Sequence, residues 1–251
     1  MKNSLQKIIL DAGELALDYF DKVGTLKVQK KSPKDLVTAA DIQVESFINN
    51  RLLSEFPDFG FLGEESGLTR EAHSQWIVDP IDGTHSFVRN QYFWSISIAL
   101  EVGGETRLAA VYAPSLGDLY IAEKGKGAFK NQRAIHVSRI TCLAESMVGT
   151  GFACLRADLR ENNLDRFSRI ARQTMGQRRY GSAALDLCLV ADGQLDAFWE
   201  QHLNMYDVAA GAFIATEAGA SITDFEGNPE LNPEEILVTN QLILEEILAL
   251  M

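Results

Sequence analysis

Hydrophobic positions divide the first half of the chain into two stretches of helical spacing and a longer strand-like stretch. Between Leu5 and Phe20 the apolar residues recur every three or four positions, which predicts an opening amphipathic helix. A second helix is predicted after Asp41, with an apolar face that stops at Pro57. The segment 94–98 alternates with the period of two that is typical of a strand. Strands are predicted at residues 76–78, 94–100, 108–112 and 119–122, in an antiparallel sheet flanked by helices.

The second half mixes shorter apolar runs of both kinds. Strands are predicted at residues 146–149, 177–180, 195–199 and 236–239. Helices are predicted over residues 162–175, after Ser182, from Asp207, and over 241–251. We place a boundary near residue 140, so that residues 1–140 form an α+β half and residues 141–251 form an α/β half. Because no linker or low-complexity segment separates the halves, we expect one continuous body.

Composition narrows the class of protein. The formal net charge of -12 disfavours a direct nucleic-acid surface, which needs basic side chains to displace counterions. Anionic substrates stay possible, because bound divalent cations reverse the sign of the local field. The chain has no apolar run of about 18 residues, which predicts no membrane span. Three cysteines without a CxxC pair, and an N-terminus unlike a signal peptide, favour a reduced cytoplasmic setting.

An acidic turn follows the apolar run of residues 76–78. Asp79 and Asp82 are three residues apart, with Pro80 interrupting the strand and Gly83 allowing close approach of the main chain. Two converging carboxylates repel each other unless a cation lies between them or one is protonated. Ligands that are all oxygen suit a hard cation such as Mg²⁺. The alternative is an ordinary Asp-Pro turn with solvated acids.

Three further acidic segments lie at the ends of predicted elements. They are Gly63-Glu64-Glu65-Ser66-Gly67, the segment from Asp35 to Asp41, and Tyr206-Asp207-Val208-Ala209-Ala210-Gly211. With the acidic turn, these segments make the whole chain resemble the inositol monophosphatase family of Mg²⁺-dependent, lithium-sensitive phosphatases. The resemblance implies a layered α/β/α/β/α fold, with an antiparallel sheet in the first half and a smaller mixed sheet in the second. It also implies a homodimer.

The resemblance implies a set of metal ligands in this sequence. One Mg²⁺ would be bound by Glu64, Asp79 and the main-chain carbonyl of Ile81, and a second by Asp79, Asp82 and Asp207. A third, weaker ion would rest on Glu64 and waters, and Mn²⁺ is expected to substitute. Hydrolysis of a phosphate monoester needs positive charge on the phosphoryl oxygens and an activated water in line, which such ions supply.

Thr84 and Asp41 are the expected catalytic partners of Glu64. A hydroxyl can only relay a proton, so Thr84 would hold the attacking water while Asp41 accepts from Thr84. Asp41 is also explained by helix N-capping, and Thr38 and Asp35 of the same segment are less defined candidates. The main-chain amides of Gly83 and Thr84 are expected to meet the phosphate.

Substrate contacts are expected from the second half as well as from the metal site. By resemblance, Gly181, Ser182, Ala183 and Glu200 would bind hydroxyls of an inositol or sugar, beside Asp82 and Asp207. Ser182 is also explained as a helix N-cap. Arg178 and Arg179 would reach a second phosphate or else be solvated.

Departures from the family pattern leave the substrate open. His85 and Ser86 follow Thr84 where inositol-preferring members commonly have Thr-Asn, Tyr206 replaces a Trp, and Ala210 replaces a Gly. Inositol monophosphate is therefore the default substrate, with histidinol phosphate, fructose 1,6-bisphosphate and 3′-phosphoadenosine 5′-phosphate as alternatives. His85 is a candidate substrate contact or a surface residue.

Other classes of protein explain the acidic segments less well. The spacing of Asp79 and Asp82 disfavours a covalent aspartyl phosphatase, whose two acids are two residues apart. Residues 125–127 lack the remainder of a phosphate loop and predict a turn in a hairpin. Glycoside hydrolysis by paired acids has no support from the pattern. From a different class, some relatives bind the transcription machinery, a role for which intact metal ligands are not required.

Overall fold

The computed structural model describes residues 1–23, 29–32 and 35–251, with the side chains of residues 1–23 and 38–251. The side chain of Asp35, a candidate above, lies outside this described part. Two predicted helices open the chain, α1 at Lys2–Phe20 and α2 at Ala39–Glu55. Both bury the apolar stripe that their spacing predicted, with Leu5, Ile8 and Val44 fully buried.

The start of α2 corrects one expectation. Thr38, not Asp41, is the N-cap residue, and its hydroxyl accepts a hydrogen bond from the amide of Ala40 at 3.0 Å. Asp41 is the third helical residue and accepts from the Thr38 amide at 2.8 Å, which completes a capping box. The N-terminal turn of α2 therefore fixes the Asp41 carboxylate in place.

An eight-stranded, mostly antiparallel sheet forms the centre of the first half. The strands are β3 Gly60–Gly63, β4 Gly67–Arg70, β5 Ser74–Asp82, β6 Ser95–Val102, β7 Glu105–Ala113, β8 Asp118–Glu123, β9 Ala128–Lys130 and β10 Arg133–Ile135. Their order in the sheet is β10-β9-β8-β7-β6-β5-β3-β4, and only β3 and β5 pair in parallel. A separate hairpin pairs β1 Gln29–Ser32 with β2 Asp35–Val37. The four strands predicted from sequence are confirmed, each longer than expected.

A smaller mixed sheet forms the second half. Its strand order is β12-β11-β13-β15-β14, with β11 parallel to both of its neighbours. The strands are β11 Met147–Thr150, β12 Gly176–Arg178, β13 Ala197–Gln201, β14 Ser221–Thr223 and β15 Glu235–Thr239. The helices after α2 are α3 Thr84–Phe87, α4 Ala153–Arg156, α5 Leu164–Ala171, α6 Ala183–Ala191, α7 Met205–Glu217 and α8 Leu244–Leu248.

Two predicted helices are shorter in the structure, and another starts earlier. α5 ends at Ala171, because the chain then turns back and the Met175 amide donates to the carbonyl of Ser146 at 3.0 Å. α8 begins at Leu244, because the amides of Leu242 and Ile243 donate hydrogen bonds to the Asn240 side chain. α7 begins at Met205, before Asp207, because Asn204 is the N-cap.

Five layers are stacked in the order α/β/α/β/α. Helices α1 and α2 cover one face of the large sheet, and α6 and α7 cover the other. α6 and α7 also contact the small sheet, whose outer face carries α5 and α8. The central helix pair therefore joins the two halves, and the ends of β5, α6 and α7 meet in the middle of the molecule. The division near residue 140 stays a prediction.

No helix within the described ranges combines the length and apolar character needed to cross a membrane.

Candidate active site

The acidic turn is a bulge at the end of β5. Asp79 pairs with Ser97 and Asp82 with Ser95, so one residue more lies on β5 than on β6 between these two pairs. Pro80 sits in this bulge, where its missing amide hydrogen interrupts no ladder bond. The sequence prediction that strand pairing breaks where the acids begin is confirmed, although β5 extends to Asp82.

Three aspartates from distant parts of the chain meet at this bulge. Asp79, Asp82 and Asp207 each offer a carboxylate oxygen, and these oxygens lie within 4.8 Å of one another. Asp79 and Asp82 are buried, and Asp207 is half-buried. β5 supplies the first two and the first turn of α7 supplies the third. Such an all-oxygen donor set fits a hard divalent cation.

Hydrogen bonds fix one oxygen of each aspartate, from neighbours in sequence for Asp79 and Asp207 and from the start of α6 for Asp82. Asp79 Oδ1 accepts from the Ile81 amide at 2.9 Å. Asp207 Oδ2 accepts from the Asn204 amide at 2.6 Å, as the N3 residue of a capping box. Asp82 Oδ2 accepts from the Ser182 hydroxyl at 2.7 Å and the Ala184 amide at 2.8 Å. Because one oxygen of each carboxylate is fixed, the orientation of the whole carboxylate is set before any ligand binds.

Glu64 lies beside Asp79 and lines the same cleft as Asp207. Its turn is positioned by Glu45, a buried acid of α2 that sequence reasoning missed. Glu45 accepts from the amides of Glu65 at 2.8 Å and Ser66 at 2.9 Å. A Cβ at Gly63 would lie 2.4 Å from the Glu45 carboxylate, so only glycine fits there. The missed signal was an acid on the inward face of α2, four residues after Asp41.

Burial and mutual repulsion raise the pKa values of the clustered acids. Burial raises the pKa of Asp82 to about 7, against the lowering effect of its hydrogen bonds to Ser182 and Ala184. Burial and the charge of Asp82 raise the pKa of Asp207 to about 7. Burial, followed by the charges of Glu64 and Asp82, holds the pKa of Asp79 well above its usual range. The cluster thus strongly favours a proton or a cation over bare negative charge.

Thr84 stands next to the cluster and contacts Asp41. The Thr84 hydroxyl lies 3.3 Å from Asp41 Oδ1 and 3.1 Å from the carbonyl of Ile81. The other Asp41 oxygen accepts from both the amide and the hydroxyl of Thr38, at 2.8 and 2.7 Å. The structure therefore brings together the pair expected from the sequence, with Thr38 as the residue that orients Asp41. The Ile81 side chain is buried, and the main-chain carbonyl of Ile81 accepts a hydrogen bond from the Thr84 hydroxyl.

The segment 181–184 closes the site from the second half. Gly83 and Gly181 both have positive φ, and a Cβ on Gly83 would lie 3.2 Å from the Gly181 carbonyl. Ser182 is the N-cap residue of α6, but its hydroxyl makes no capping bond and contacts Asp82 instead. Ser182 and Ala183 therefore lie against a candidate metal ligand.

Glu200 is buried at the end of β13. Its Oε1 accepts from the Ala153 amide at 2.9 Å, and burial raises its pKa to about 7.

The paired arginines, Arg178 and Arg179, do not line the cleft that is shared by Glu64 and Asp207. Arg178 Nη1 donates to the Gln177 carbonyl at 3.0 Å, and the Arg179 guanidinium lies beside Gly181.

A cleft of about 240 Å³ opens onto the acidic cluster. It is lined by Glu64, Ala153, Arg156, Ala157, His202, Leu203, Asn204, Tyr206 and Asp207. The layered fold and the carboxylate set at its centre together define an α/β protein whose acidic cluster could hold a metal ion.

Comparisons with known proteins specify the family. The model of the inositol monophosphatase family matches residues 2–250, and this chain belongs to that family. The inositol-1-monophosphatase of Mesorhizobium japonicum is 36% identical over 249 residues, which cover 98% of this chain and 94% of that protein. The Nus factor SuhB of Xylella fastidiosa is 36% identical over 225 residues, covering 90% and 82%.

Solved structures agree with this assignment. The crystal structure of the extragenic suppressor protein SuhB from Bartonella henselae aligns with a TM-score of 0.93 and 35% identity. The alignment covers 99% of this chain and 96% of that one. The layered fold expected from the sequence is confirmed. Family membership supports a phosphatase, and the metal dependence of the family agrees with the carboxylate cluster.

Proposed function

We propose that this protein hydrolyses phosphate monoesters in a Mg²⁺-dependent reaction, by in-line attack of a water. Inositol monophosphate or a similar polyol or sugar phosphate is the proposed substrate. The observation that carries the proposal is the meeting of Asp79, Asp82 and Asp207 within 4.8 Å, beside the contact between Thr84 and Asp41. The name of the Mesorhizobium relative, an inositol-1-monophosphatase, supports the substrate class.

The residues of the site have two proposed roles, the binding of cations and the transfer of a proton. Glu64, the three aspartates and the Ile81 carbonyl would hold two or three divalent cations, Mg²⁺ or Mn²⁺. When bound, such cations neutralise phosphoryl oxygens and lower the pKa of a water. Thr84 would hold that water, and Asp41, locked by Thr38, would accept from the Thr84 hydroxyl. The main-chain amides of Gly83 and Thr84 would bind the phosphate.

The second half would hold the alcohol part of the substrate. Gly181, Ser182 and Ala183 form the wall beside Asp82, and Glu200 lies at the end of β13. A polyol fits these polar groups, because its hydroxyls can both donate hydrogen bonds to them and accept hydrogen bonds from them. By family resemblance we also propose a homodimer and inhibition by lithium.

A phosphate-release assay tests the proposal directly. We expect release from at least one of inositol 1-phosphate, histidinol phosphate, fructose 1,6-bisphosphate and 3′-phosphoadenosine 5′-phosphate with Mg²⁺, and none with EDTA. Asp82→Asn should lower turnover by about 10²-fold or more, because it removes one of the converging charges. Asp58→Asn, an exposed acid outside the site, is the matched control. Release that persists in EDTA, or in the Asp82 variant, would refute the assignment.

A second candidate function comes from the names of relatives. The Nus factor SuhB of Xylella fastidiosa is 36% identical to this chain. The name of that relative is the reason to consider a role in binding the transcription machinery. A protein-binding role does not require the three aspartates to converge, so their arrangement favours the enzyme. A pulldown that captures RNA polymerase equally with wild type and Asp82→Asn would support a separate binding function.

A further inference from the structure

Arg156 lines the candidate cleft together with Glu64 and Asp207. It is the one permanent cation among the described residues that line this cleft. Its side chain is exposed, and no hydrogen bond or ion pair of its guanidinium is found within the described ranges. An arginine that lines a concave site without a direct hydrogen bond to a carboxylate can donate to a ligand.

The position of Arg156 is fixed from the other end of its short helix. The amide of Ala153, the first residue of α4, donates to the buried Glu200 carboxylate at 2.9 Å. A Cβ at Gly151 would lie 2.0 Å from Glu200 Oε2, so glycine is needed for this approach. The Asn163 side chain also donates to the Gly151 carbonyl at 2.9 Å. The bond to Glu200 holds the start of α4 against β13, the bond from Asn163 holds Gly151, and together they place Arg156 at the cleft.

The lining of the cleft places Arg156 on one side of the site. Residues of α4 and α7, including Asp207, line this cleft together with Arg156, whereas neither aspartate of the β5 bulge lines it. In agreement with this position, the charge of Arg156 acts on Glu200 and Asp207, where it lowers pKa values that burial raises. Arg156 therefore lies on the side of the cleft formed by α4 and α7, away from the bulge of β5, where the scissile phosphate is expected.

We propose that Arg156 determines specificity by binding a second anionic group on the substrate, a phosphate or a carboxylate, in addition to the phosphate that is hydrolysed. This inference rests on the proposed function and narrows its substrate class. A planar guanidinium matches both anions, because two of its N–H groups can donate in parallel. Arg178 and Arg179, the pair suspected from the sequence, do not line this cleft. Arg178 donates to the Gln177 carbonyl, and Arg179 lies beside Gly181, at the wall formed by residues 181–183.

Matched substrate pairs test the role of Arg156. Fructose 1,6-bisphosphate is compared with fructose 1-phosphate, and 2-phosphoglycerate with glycerol 2-phosphate, by kcat/KM with Mg²⁺. We expect wild type to prefer the doubly anionic member of at least one pair. Arg156→Gln should reduce that preference ratio by about tenfold to a hundredfold, the loss of a charge-assisted hydrogen bond, and Arg156→Lys should reduce it less.

The control is Arg160→Gln, an exposed arginine four residues further on that lines a different cavity. A response of the first pair alone identifies phosphate as the second group, and a response of the second pair alone identifies carboxylate. The inference is overturned if wild type has no such preference, if Arg156→Gln keeps the wild-type ratio, or if Arg160→Gln lowers the ratio equally.

The proposed function fails separately, through absence of release from every monoester. In that case binding decides the inference. Calorimetry with Ca²⁺ in place of Mg²⁺ should give a Kd for the doubly anionic compound that is about tenfold or more weaker in Arg156→Gln than in wild type. Equal Kd values would overturn the role of Arg156 whether or not turnover is observed.

Discussion

Asp82→Asn is a nearly isosteric change that separates the charge of this carboxyl from its structural contacts. The Ser182 hydroxyl and the Ala184 amide both donate to Asp82 Oδ2, at 2.7 and 2.8 Å. An asparagine with its carbonyl oxygen at that position keeps both hydrogen bonds. The substitution then replaces the other oxygen with an amide group and removes the negative charge beside Asp79 and Asp207. We therefore expect the fold to persist while one of three converging charges disappears.

The size of the effect follows from the charges and from burial. At 4.8 Å, the upper bound on the separations of the carboxylate oxygens in the cluster, two charges repel by roughly 3.5 kcal/mol at an effective dielectric constant near 20, and closer pairs repel more strongly. In the folded, metal-free protein the pKa of Asp82 is raised from 3.8 to about 7. A difference of about three pKa units corresponds to roughly 4 kcal/mol of unfolding free energy.

The sign of the pH dependence is fixed by the direction of this shift. Between pH values of about 4 and about 7 the folded protein retains a proton that the unfolded chain has released. The contribution to stability is thus fully present below about pH 4 and is lost as the pH rises through about 7. The asparagine variant has no carboxylate at this position, so it does not lose this stability as the pH rises. At about pH 8 without metal it should be more stable than wild type by up to about 4 kcal/mol, or about 8 to 16 °C in Tm.

Thermal melts in EDTA at several pH values, repeated with Mg²⁺, measure this effect. The advantage of the variant should vanish below about pH 4. Mg²⁺ should raise the Tm of wild type more than that of the variant, because binding stabilises the folded state only where the site is intact. Asp58→Asn should differ from wild type by no more than about 0.5 kcal/mol throughout. A metal-free Asp82 variant that melts at or below wild type at neutral pH would refute the electrostatic account.

Two other substitutions test the proton relay and the support of α4. Thr84→Ala should lower kcat by about 10² to 10⁴-fold, while Thr84→Ser, which keeps the hydroxyl 3.3 Å from Asp41, should lose much less; equal losses in steady-state kinetics would argue against a relay. Gly151→Ala should lower the free energy of unfolding by about 1 to 3 kcal/mol in denaturant titrations, because the new Cβ would lie 2.0 Å from Glu200 Oε2. An unchanged unfolding midpoint would show that Glu200 moves away freely.

The acids that sequence analysis found are those that interrupt an apolar pattern. Asp79 and Asp82 end a buried strand, and Asp207 opens an apolar helix, so their polarity is unexplained by packing. Glu45 was missed, because one acid within a long helix is normally a solvated residue. Its helical position is four after Asp41 and next to Val44, both buried. That inward spacing was a usable signal.

Contacts between the two halves of the chain could not be predicted from the sequence. Ser182 lies 100 residues after Asp82, and the helix cap expected from its local pattern does not show that the hydroxyl is used on a carboxylate. Local pattern predicts which residue begins a helix, since capping depends on neighbours in sequence. It does not predict which of two partners a buried hydroxyl takes, since that depends on tertiary approach.

The short helix α4 shows the same limit and its functional consequence. Its four residues have no periodic pattern that predicts a helix, and isolated helices of this length are unstable. Glu200, 47 residues away, fixes the first turn through the Ala153 amide. The location of Arg156 in the cleft therefore depends on a tertiary contact and on the absence of a side chain at Gly151. A cation placed in this way is a property of the folded chain, and the local sequence around Arg156 does not predict it.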